Sequence, residues 1–331
     1  MTANNLSKVY GAALPTLTDT ITGFVNGDTA SKAVTGSAKL STTATAVSAV
    51  GTYPITATEG TLAATNYSFK FVSGTLTVTK AALTVTANNL SKVYGSALPT
   101  LTDTITGFVN GDTAAKAVTG AASLSTTGTA KSPVGTYPIT IAAGTLAAAN
   151  YSFKFVVGTL TVTKAVLTVT GNNLSKVYGA ALPTLTDTII GFVNGDTAAK
   201  SVTGSAKLST TATAASAVGT YPITAAAGTL AAANYSFKFV AGTLTVKPLG
   251  TVATPTFTPA QGTYSTTQSV TIKDTSSGAT IYYTTNGGTP STGSTKYTTA
   301  ITVAKSETIK AIAVETGYTD STEATAKYII Q

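Results

Sequence analysis

Paired carboxylates recur along this sequence, and two carboxylates flanking a sugar are the minimum set for cleaving a glycosidic bond. The pair Asp19 and Asp28 is repeated twice more at equal intervals, whereas Glu59 has no counterpart. Asp19 lies beside a predicted strand, and Asp28 lies in an Asn-Gly-Asp turn where a carboxylate can cap a short helical segment. The pattern therefore favours turn and capping roles. We predict no catalytic residues and no enzymatic activity.

The residue types that hold metals or activate substrates are largely missing. The 331 residues include no Cys, His, Arg or Trp, which excludes a thiol nucleophile, an imidazole base, a disulfide and a Cys or His metal site. Calcium takes about six to eight oxygen ligands, and two shared carboxylates per repeat fall short of that number. We predict no metal and no cofactor.

Tyrosine rings are the remaining candidates for ligand binding, because they combine an apolar face with a polar tip. Tyr282 and Tyr283 are neighbours on a predicted strand, so one faces the core and the other faces solvent. An exposed Tyr283 would form a glycan-facing patch with Tyr297 and Tyr318. The patch is a hypothesis about surface glycans as partners.

A Lys–Asn isopeptide bond is the other chemistry that these residue types allow. It requires a buried lysine, an asparagine and a carboxylate side by side. Lys8, Asn66 and Asp19 are candidates by type alone, and the sequence leaves the presence of such cross-links open.

Charge and hydropathy exclude two further classes of partner. The net charge is +8, but the lysines are spread evenly and there is no arginine, which nucleic-acid readers favour. No apolar run reaches the roughly 18 residues of a membrane-spanning helix, and the residues after Met1 do not resemble a signal peptide. We predict no nucleic-acid partner and no membrane span in this chain.

Internal repeats define the domain organisation. The phrase Asn-Asn-Leu-Ser-Lys-Val-Tyr-Gly begins at Asn4, Asn88 and Asn172, which are equally spaced. Repeat 1 lacks the Leu-Thr-Val that opens the other two copies, so its first strand is predicted to be truncated. The predicted domains are repeat 1 over residues 1–80, repeat 2 over 81–164, repeat 3 over 165–248 and a different domain over 253–331.

Each repeat carries alternating apolar and polar residues, the pattern of half-buried strands. In repeat 2, Tyr151 and Phe153 alternate with Ser152 and Lys154, and a second alternating run follows Gly158. We predict a β-hairpin here, with Phe153 facing the core and Lys154 facing solvent. Six or seven short strands per repeat predict a small sandwich-like or grasp-like domain.

Several motifs keep a fixed order in all three copies, among them Lys-Val-Tyr-Gly, Gly-Phe-Val-Asn-Gly-Asp-Thr, Gly-Thr-Tyr-Pro-Ile and Asn-Tyr-Ser-Phe-Lys-Phe-Val. From Ala3 to about Lys247 this pattern resembles the MBG family, Gly-rich and mostly-β modules found in tandem in large bacterial surface and secreted proteins. The resemblance implies an extracellular or cell-surface protein, commonly adhesin-like. It offers no catalytic residues.

The last domain resembles the immunoglobulin-like domain at the C-terminus of chitobiase and β-hexosaminidase proteins. That family usually has Asp-Gly-Ser where this chain has Asn286-Gly287-Gly288, which leaves the turn intact. The resemblance implies an extracellular β-sandwich that accompanies other domains and is not itself a glycosidase. The matching residues are Pro259, Gly262-Thr263-Tyr264, Gly278–Thr284, Gly287, Thr289-Pro290, Ile309–Ala313 and Gly317-Tyr318.

Together these features predict an all-β protein, a linear array of three MBG-like modules and one immunoglobulin-like β-sandwich. The predicted function is structural: an extracellular or cell-surface stalk or adhesin segment that spaces or assembles adhesive parts. The alternative is a carbohydrate-binding accessory module of a secreted protein.

The truncated first copy also predicts self-association. A missing strand would leave backbone groups and core unpaired, the condition for capturing a strand from another chain. Tyr328–Gln331 is the predicted donor, and such a head-to-tail contact would propagate as a filament. The alternative is that the sequence is part of a longer repeat array.

Overall fold

In the computed structural model, which describes residues 1–331 in full, every regular element is a β-strand except three helical turns of four residues. The strands alternate as predicted: in Gly74–Thr79, Leu76 and Val78 are buried and Thr79 is exposed. Apolar and β-branched side chains at a period of two stabilise strands on a half-buried sheet. The all-β class is confirmed. Packing divides the chain into two compact units, Met1–Ala165 and Val166–Gln331.

Module 1, the folded form of repeat 1, has one four-stranded sheet and one two-stranded sheet in which each strand has two residues. In the sheet the order is β2-β6-β5-β4, with β6 parallel to β2 and antiparallel to β5. Ala3 of β1 packs with Ile55 and Leu76 of that sheet. The elements are β1 (Thr2–Ala3), β2 (Leu6–Val9), β3 (Asp19–Thr20), α1 (Ala30–Ala33), β4 (Lys39–Thr42), β5 (Gly51–Thr58) and β6 (Gly74–Thr79).

Module 2 has the same plan with a second, three-stranded sheet. Its elements are β7 (Ala81–Ala87), β8 (Leu90–Val93), β9 (Asp103–Thr106), α2 (Ala114–Ala117), β10 (Ser123–Thr126), β11 (Gly135–Ala142), β12 (Tyr151–Val156) and β13 (Gly158–Thr163). The sheet orders are β12-β7-β9 and β10-β11-β13-β8. The first two strands therefore pair in parallel with the last two, β7 with β12 and β8 with β13.

The second unit holds module 3 and the C-terminal domain. Module 3 contains β14 (Ala165–Gly171), β15 (Leu174–Val177), β16 (Asp187–Ile190), α3 (Ala198–Ser201), β17 (Lys207–Thr210), β18 (Gly219–Ala226), β19 (Tyr235–Val240) and β20 (Gly242–Lys247). Its sheet orders, β16-β14-β19 and β15-β20-β18-β17, repeat those of module 2.

The C-terminal domain has sheets of three and five strands, ordered β21-β23-β26 and β22-β28-β27-β24-β25. Its core contains Val270, Val303, Ile309 and Tyr328. The strands are β21 (Thr256–Thr258), β22 (Gly262–Tyr264), β23 (Gln268–Lys273), β24 (Thr280–Thr284), β25 (Thr295–Lys296), β26 (Ile301–Val303), β27 (Glu307–Val314) and β28 (Ala324–Ile330).

The predicted hairpin in module 2 is wrong, because β12 and β13 lie in different sheets. Only Val157 separates the two strands, and one residue is too short for the usual two-residue hairpin turn. The chain crosses from one sheet to the other instead. The predicted alternation is confirmed, with Tyr151 buried, Phe153 half-buried and Lys154 exposed.

The first strand of module 1 is short, and the prediction that its position is empty is wrong in part. Thr2 and Ala3 pair with β3, Thr2 also bridges to Val72, and the amine of Met1 donates a hydrogen bond to the Lys70 carbonyl at 2.9 Å. The equivalent β7 pairs with β12 along six positions. Met1–Ala3 therefore fills only the end of the strand position.

The C-terminal strand β28 is not free to pair with another chain as we predicted. β28 is an inner strand that pairs with both β22 and β27, and Tyr328 is fully buried. Releasing Tyr328–Gln331 would break the core of its own domain.

Candidate functional site: a side-chain joint between modules

A Tyr-Gly turn follows β2 and reaches into the neighbouring module. Tyr10 is almost fully buried, and it belongs to a cluster that also contains Leu83 and Tyr151 of module 2. The rings of Tyr10 and Tyr151 meet edge to face, with centroids 5.4 Å apart and planes at 85°. Such pairs stabilise contacts by about 0.5–1.5 kcal/mol beyond the burial of their area.

Asp112 of module 2 joins the two rings through hydrogen bonds. Tyr10 donates to its Oδ2 at 3.1 Å, and Tyr151 donates to the same oxygen at 2.6 Å. Burial, together with the bond to Asp112, raises the pKa of the Tyr151 hydroxyl. Hydrogen bonds to a carboxylate are stronger than those between neutral groups, so Asp112 ties the modules together.

Gly11 permits the close approach of the two modules. Its φ of +83° lies in the left-handed region, and a Cβ atom there would lie 2.5 Å from Val109 Cγ2 of module 2. Any larger residue would meet both the backbone strain and the clash.

The lysine of the same motif stabilises the turn through hydrogen bonds to backbone carbonyls. Lys8 is buried, and its Nζ donates to the carbonyls of Ala12 and Ala46, each at 2.9 Å. The equivalent Lys92 is buried in the same way, and its burial lowers its pKa. A buried ammonium requires such acceptors, and here they fix the turn that carries Tyr10.

Further hydrogen bonds surround the contact of Tyr10 and Gly11 with module 2, which we call the joint. Asn150 of module 2 accepts a hydrogen bond from the Val50 amide at 3.0 Å, and Lys80 Nζ donates to the Ala148 carbonyl at 2.9 Å. Lys80 is also the only residue between β6 and β7. The joint thus combines a one-residue connector with buried rings, a carboxylate and rim hydrogen bonds.

In the second unit, the equivalent Tyr-Gly turn of module 3 contacts the C-terminal domain. Tyr178, the counterpart of Tyr10, lies against Gly317 of the C-terminal domain so closely that a Cβ at Gly317 would collide with the ring. The Leu249 amide donates to the Gly317 carbonyl at 2.8 Å. The Tyr-Gly turn of module 3 therefore packs on the domain that follows.

The alternating pattern of the repeats does not predict this joint. The available signal was the Tyr-Gly pair itself, which recurs in every copy directly after a strand. Asp28 does occupy its predicted turn, where it accepts a hydrogen bond from Tyr67 at 2.8 Å. The isopeptide candidates are not brought together: Lys8 binds two carbonyls, whereas Asn66 lines a cavity with Asp28.

The three predicted glycan-facing tyrosines lie in two places. Tyr283 and Tyr297 are half-buried, pack against the core of the C-terminal domain and touch edge to face at 6.2 Å. Tyr318 lies beside Gly250, in the segment that leads into the domain. A shared sugar-binding role for the three stays a prediction.

Family comparisons agree with this organisation. The profile of the MBG domain (YGX type) matches residues 1–77, 83–161 and 167–245, which is most of the chain. The profile of the chitobiase/β-hexosaminidase C-terminal domain matches residues 259–326. The domains identified are thus repeat and immunoglobulin-like modules rather than catalytic domains. No curated protein sequence is significantly similar to this chain.

Solved structures that are similar to this chain match it at low sequence identity. The I9–I11 tandem of titin is 11% identical, with a TM-score of 0.18, and the match covers 75% of this chain and 98% of that one. The N-terminal eight Ig domains of Down Syndrome Cell Adhesion Molecule are 11% identical at a TM-score of 0.23, covering 93% and 44%. The S-layer protein rSbsC(31–844) is 14% identical at 0.21, covering 90% and 50%. These TM-scores are too low to indicate a shared arrangement of domains. None of the helices of this chain is long and apolar enough to cross a bilayer.

Proposed function

Because this chain belongs to the MBG domain family (YGX type), we propose that it is a structural segment of an extracellular or cell-surface protein, which spaces adhesive parts through stiff joints. The location is the one that the family resemblance implies. The family supplies no catalytic residues, and the chemistry of the joint is that of packing and hydrogen bonding.

The observation that carries the proposal is the joint between modules 1 and 2. A flexible linker needs many residues, whereas here Lys80 alone connects the two modules. Tyr10 is held on one side by the Tyr151 ring and at its hydroxyl by Asp112. A joint with these contacts restricts rotation between modules, as a spacer requires.

Spin labelling tests the stiffness of this joint directly in the full chain. The sequence has no cysteine, so Thr52→Cys and Thr136→Cys, both on exposed strand positions, provide the only labelling sites. We expect a single narrow distance distribution by pulsed EPR, and a broader one when Tyr10→Ala is added. A distribution already broad with Tyr10 intact would contradict the proposal.

The glycan-binding role for Tyr283, Tyr297 and Tyr318 is a separate proposal. Tyr283 and Tyr297 are each partly exposed, which is compatible with this role. A glycan array probed with the full chain and with a Tyr297→Ala variant tests it, and we expect any glycan signal to fall in the variant.

A further inference from the structure

Each module carries two copies of the sequence Asn-x-Ser in which x is not proline. This sequence is the acceptor signal for N-linked glycosylation, the attachment of a sugar to the asparagine side chain. One copy in module 2, Asn-Tyr-Ser, begins at Asn150 and lies in the joint. The other copy, Asn-Leu-Ser, lies at the start of the strand that precedes the Tyr-Gly turn. It begins at Asn5, Asn89 and Asn173.

The Asn-Leu-Ser copy of module 2 presents both of its polar side chains to solvent. Asn89 and Ser91 are exposed, whereas Leu90 between them packs against a buried core cluster. Alternation along an extended chain places residues i and i+2 on the same face, so the amide and the hydroxyl lie on one side. The middle leucine of the other two modules also packs on the core, at Leu6 and Leu174.

A hydrogen bond determines which atom of the Asn89 side chain is free. The Thr159 amide donates to Asn89 Oδ1 at 2.8 Å. Because a backbone N–H can only donate, it must face the side-chain oxygen. Nδ2, the atom to which a sugar would be attached, donates to no other group of the chain, and the Ser91 hydroxyl also has no partner there. The same bond, again at 2.8 Å, joins Thr75 to Asn5 and Thr243 to Asn173.

The Asn-Tyr-Ser copy of module 2 is engaged by other groups. Asn150 is half-buried, and its Oδ1 accepts the hydrogen bond from the Val50 amide of module 1. The Ser152 hydroxyl donates to the Ala81 carbonyl at 3.3 Å. An enzyme therefore reaches this asparagine only when the joint opens locally. The structure thus distinguishes two copies that are equivalent as sequence signals.

The position of the Asn-Leu-Ser copy is compatible with a bulky attached group. β8, which follows Asn89, is an edge strand of its four-stranded sheet, as are β2 and β15 in the other modules. A sugar on Asn89 would extend from this edge without displacing core side chains. An exposed edge is also a template for pairing with another chain, and a hydrated sugar beside it would hinder such pairing.

We propose that Asn5, Asn89 and Asn173 are N-glycosylation sites, to which a glycosyltransferase transfers a sugar from a nucleotide-activated donor. In the transfer, Nδ2 forms a bond to the anomeric carbon of the sugar while the bond from that carbon to the phosphate oxygen breaks. The nucleoside diphosphate leaves with the electron pair, and one amide proton passes to a base of the transferase. Oδ1 is unchanged, so the hydrogen bond from the threonine amide is retained and the modified module stays folded.

Glycosylation of the folded full chain with UDP-glucose and a soluble N-glycosyltransferase tests the proposal, with the sites mapped by mass spectrometry of the peptides. We expect one hexose on each of the three asparagines. Asn89 should react about ten-fold faster than Asn150 or more, because reaction at Asn150 requires opening of the joint. The control is the same chain digested before the reaction, in which the peptides containing Asn89 and Asn150 should both accept the sugar.

Two variants at an exposed position test the acceptor signal without disturbing the fold. Ser91→Ala removes the hydroxyl that the signal requires and should abolish modification at Asn89 while Asn5 and Asn173 still react. Ser91→Thr retains a hydroxyl and should retain the modification. No sugar on Asn89 in the folded chain, equal rates at Asn89 and Asn150, or full modification of Ser91→Ala would overturn the proposal. The proposal concerns a covalent modification and goes beyond the spacer function.

Discussion

The substitution Tyr10→Ala should destabilise both modules of the first unit, because the Tyr10 ring belongs to the joint and not to module 1 alone. Truncating a buried aromatic side chain costs about 3–5 kcal/mol. Part of that loss is the hydrogen bond to Asp112, worth about 1.5–3 kcal/mol for a charged acceptor. Tyr10→Phe keeps the ring and its edge-to-face contact, and Asp112 keeps its bond to Tyr151 in that variant. We therefore expect Tyr10→Phe to cost about 1.5 kcal/mol, the low end of the range for such a bond.

Hydrogen exchange measured by mass spectrometry is the appropriate assay, because near-identical repeats do not give separate melting transitions. Protection should fall at Val9–Ala12 in module 1 and at Phe108–Asp112 in module 2, more in Tyr10→Ala than in Tyr10→Phe. Loss of protection confined to module 1 would refute the reasoning, because it would make Tyr10 an ordinary core residue of its own module. Equal effects of the two variants would show that the ring contributes nothing.

Three further changes test other parts of the structure. Phe153→Ala should destabilise module 2 by about 3 kcal/mol, whereas Lys154→Ala should change the stability of the module by no more than about 0.5 kcal/mol. Comparable losses of hydrogen-exchange protection in β12 for the two variants would contradict the assigned faces. Gly317→Ala should destabilise the second unit, because the new Cβ meets Tyr178 and the φ of +86° disfavours alanine. Adding Tyr178→Ala should recover part of the lost stability. No recovery would exclude the clash as the cause. Burial, with a smaller contribution from Tyr264, raises the pKa of Tyr328 to about 12, so its stabilisation is complete below pH 10 and is lost as the pH rises toward 12. Denaturant unfolding should show roughly 3 kcal/mol more alkaline loss of stability in the wild type than in Tyr328→Phe. Identical pH profiles would disprove the assignment.

The sequence predicts strands better than it predicts their partners. The alternation through Tyr151 and Phe153 identified β12 and its buried face, because alternation reflects the pleat of a single strand. It did not reveal that β12 pairs with β7, since parallel partners at opposite ends of a module leave no local signal. The joint was missed for a related reason. Burial of Tyr10 fits a core position equally well, and only the structure shows that the ring covering it belongs to another module.

The order of the strands also determines how a module responds to a stretching force. A pull applied at Ala81 and Thr163 draws the parallel strands β8 and β13 in opposite directions along their length. Their backbone hydrogen bonds then carry the load side by side and must break together, whereas a hairpin pulled at its open end breaks one bond at a time. The six-position ladder of β7 and β12 adds resistance in module 2. Module 3 repeats the parallel pairing of its second and last strands, β15 with β20, and should resist a pull in the same way.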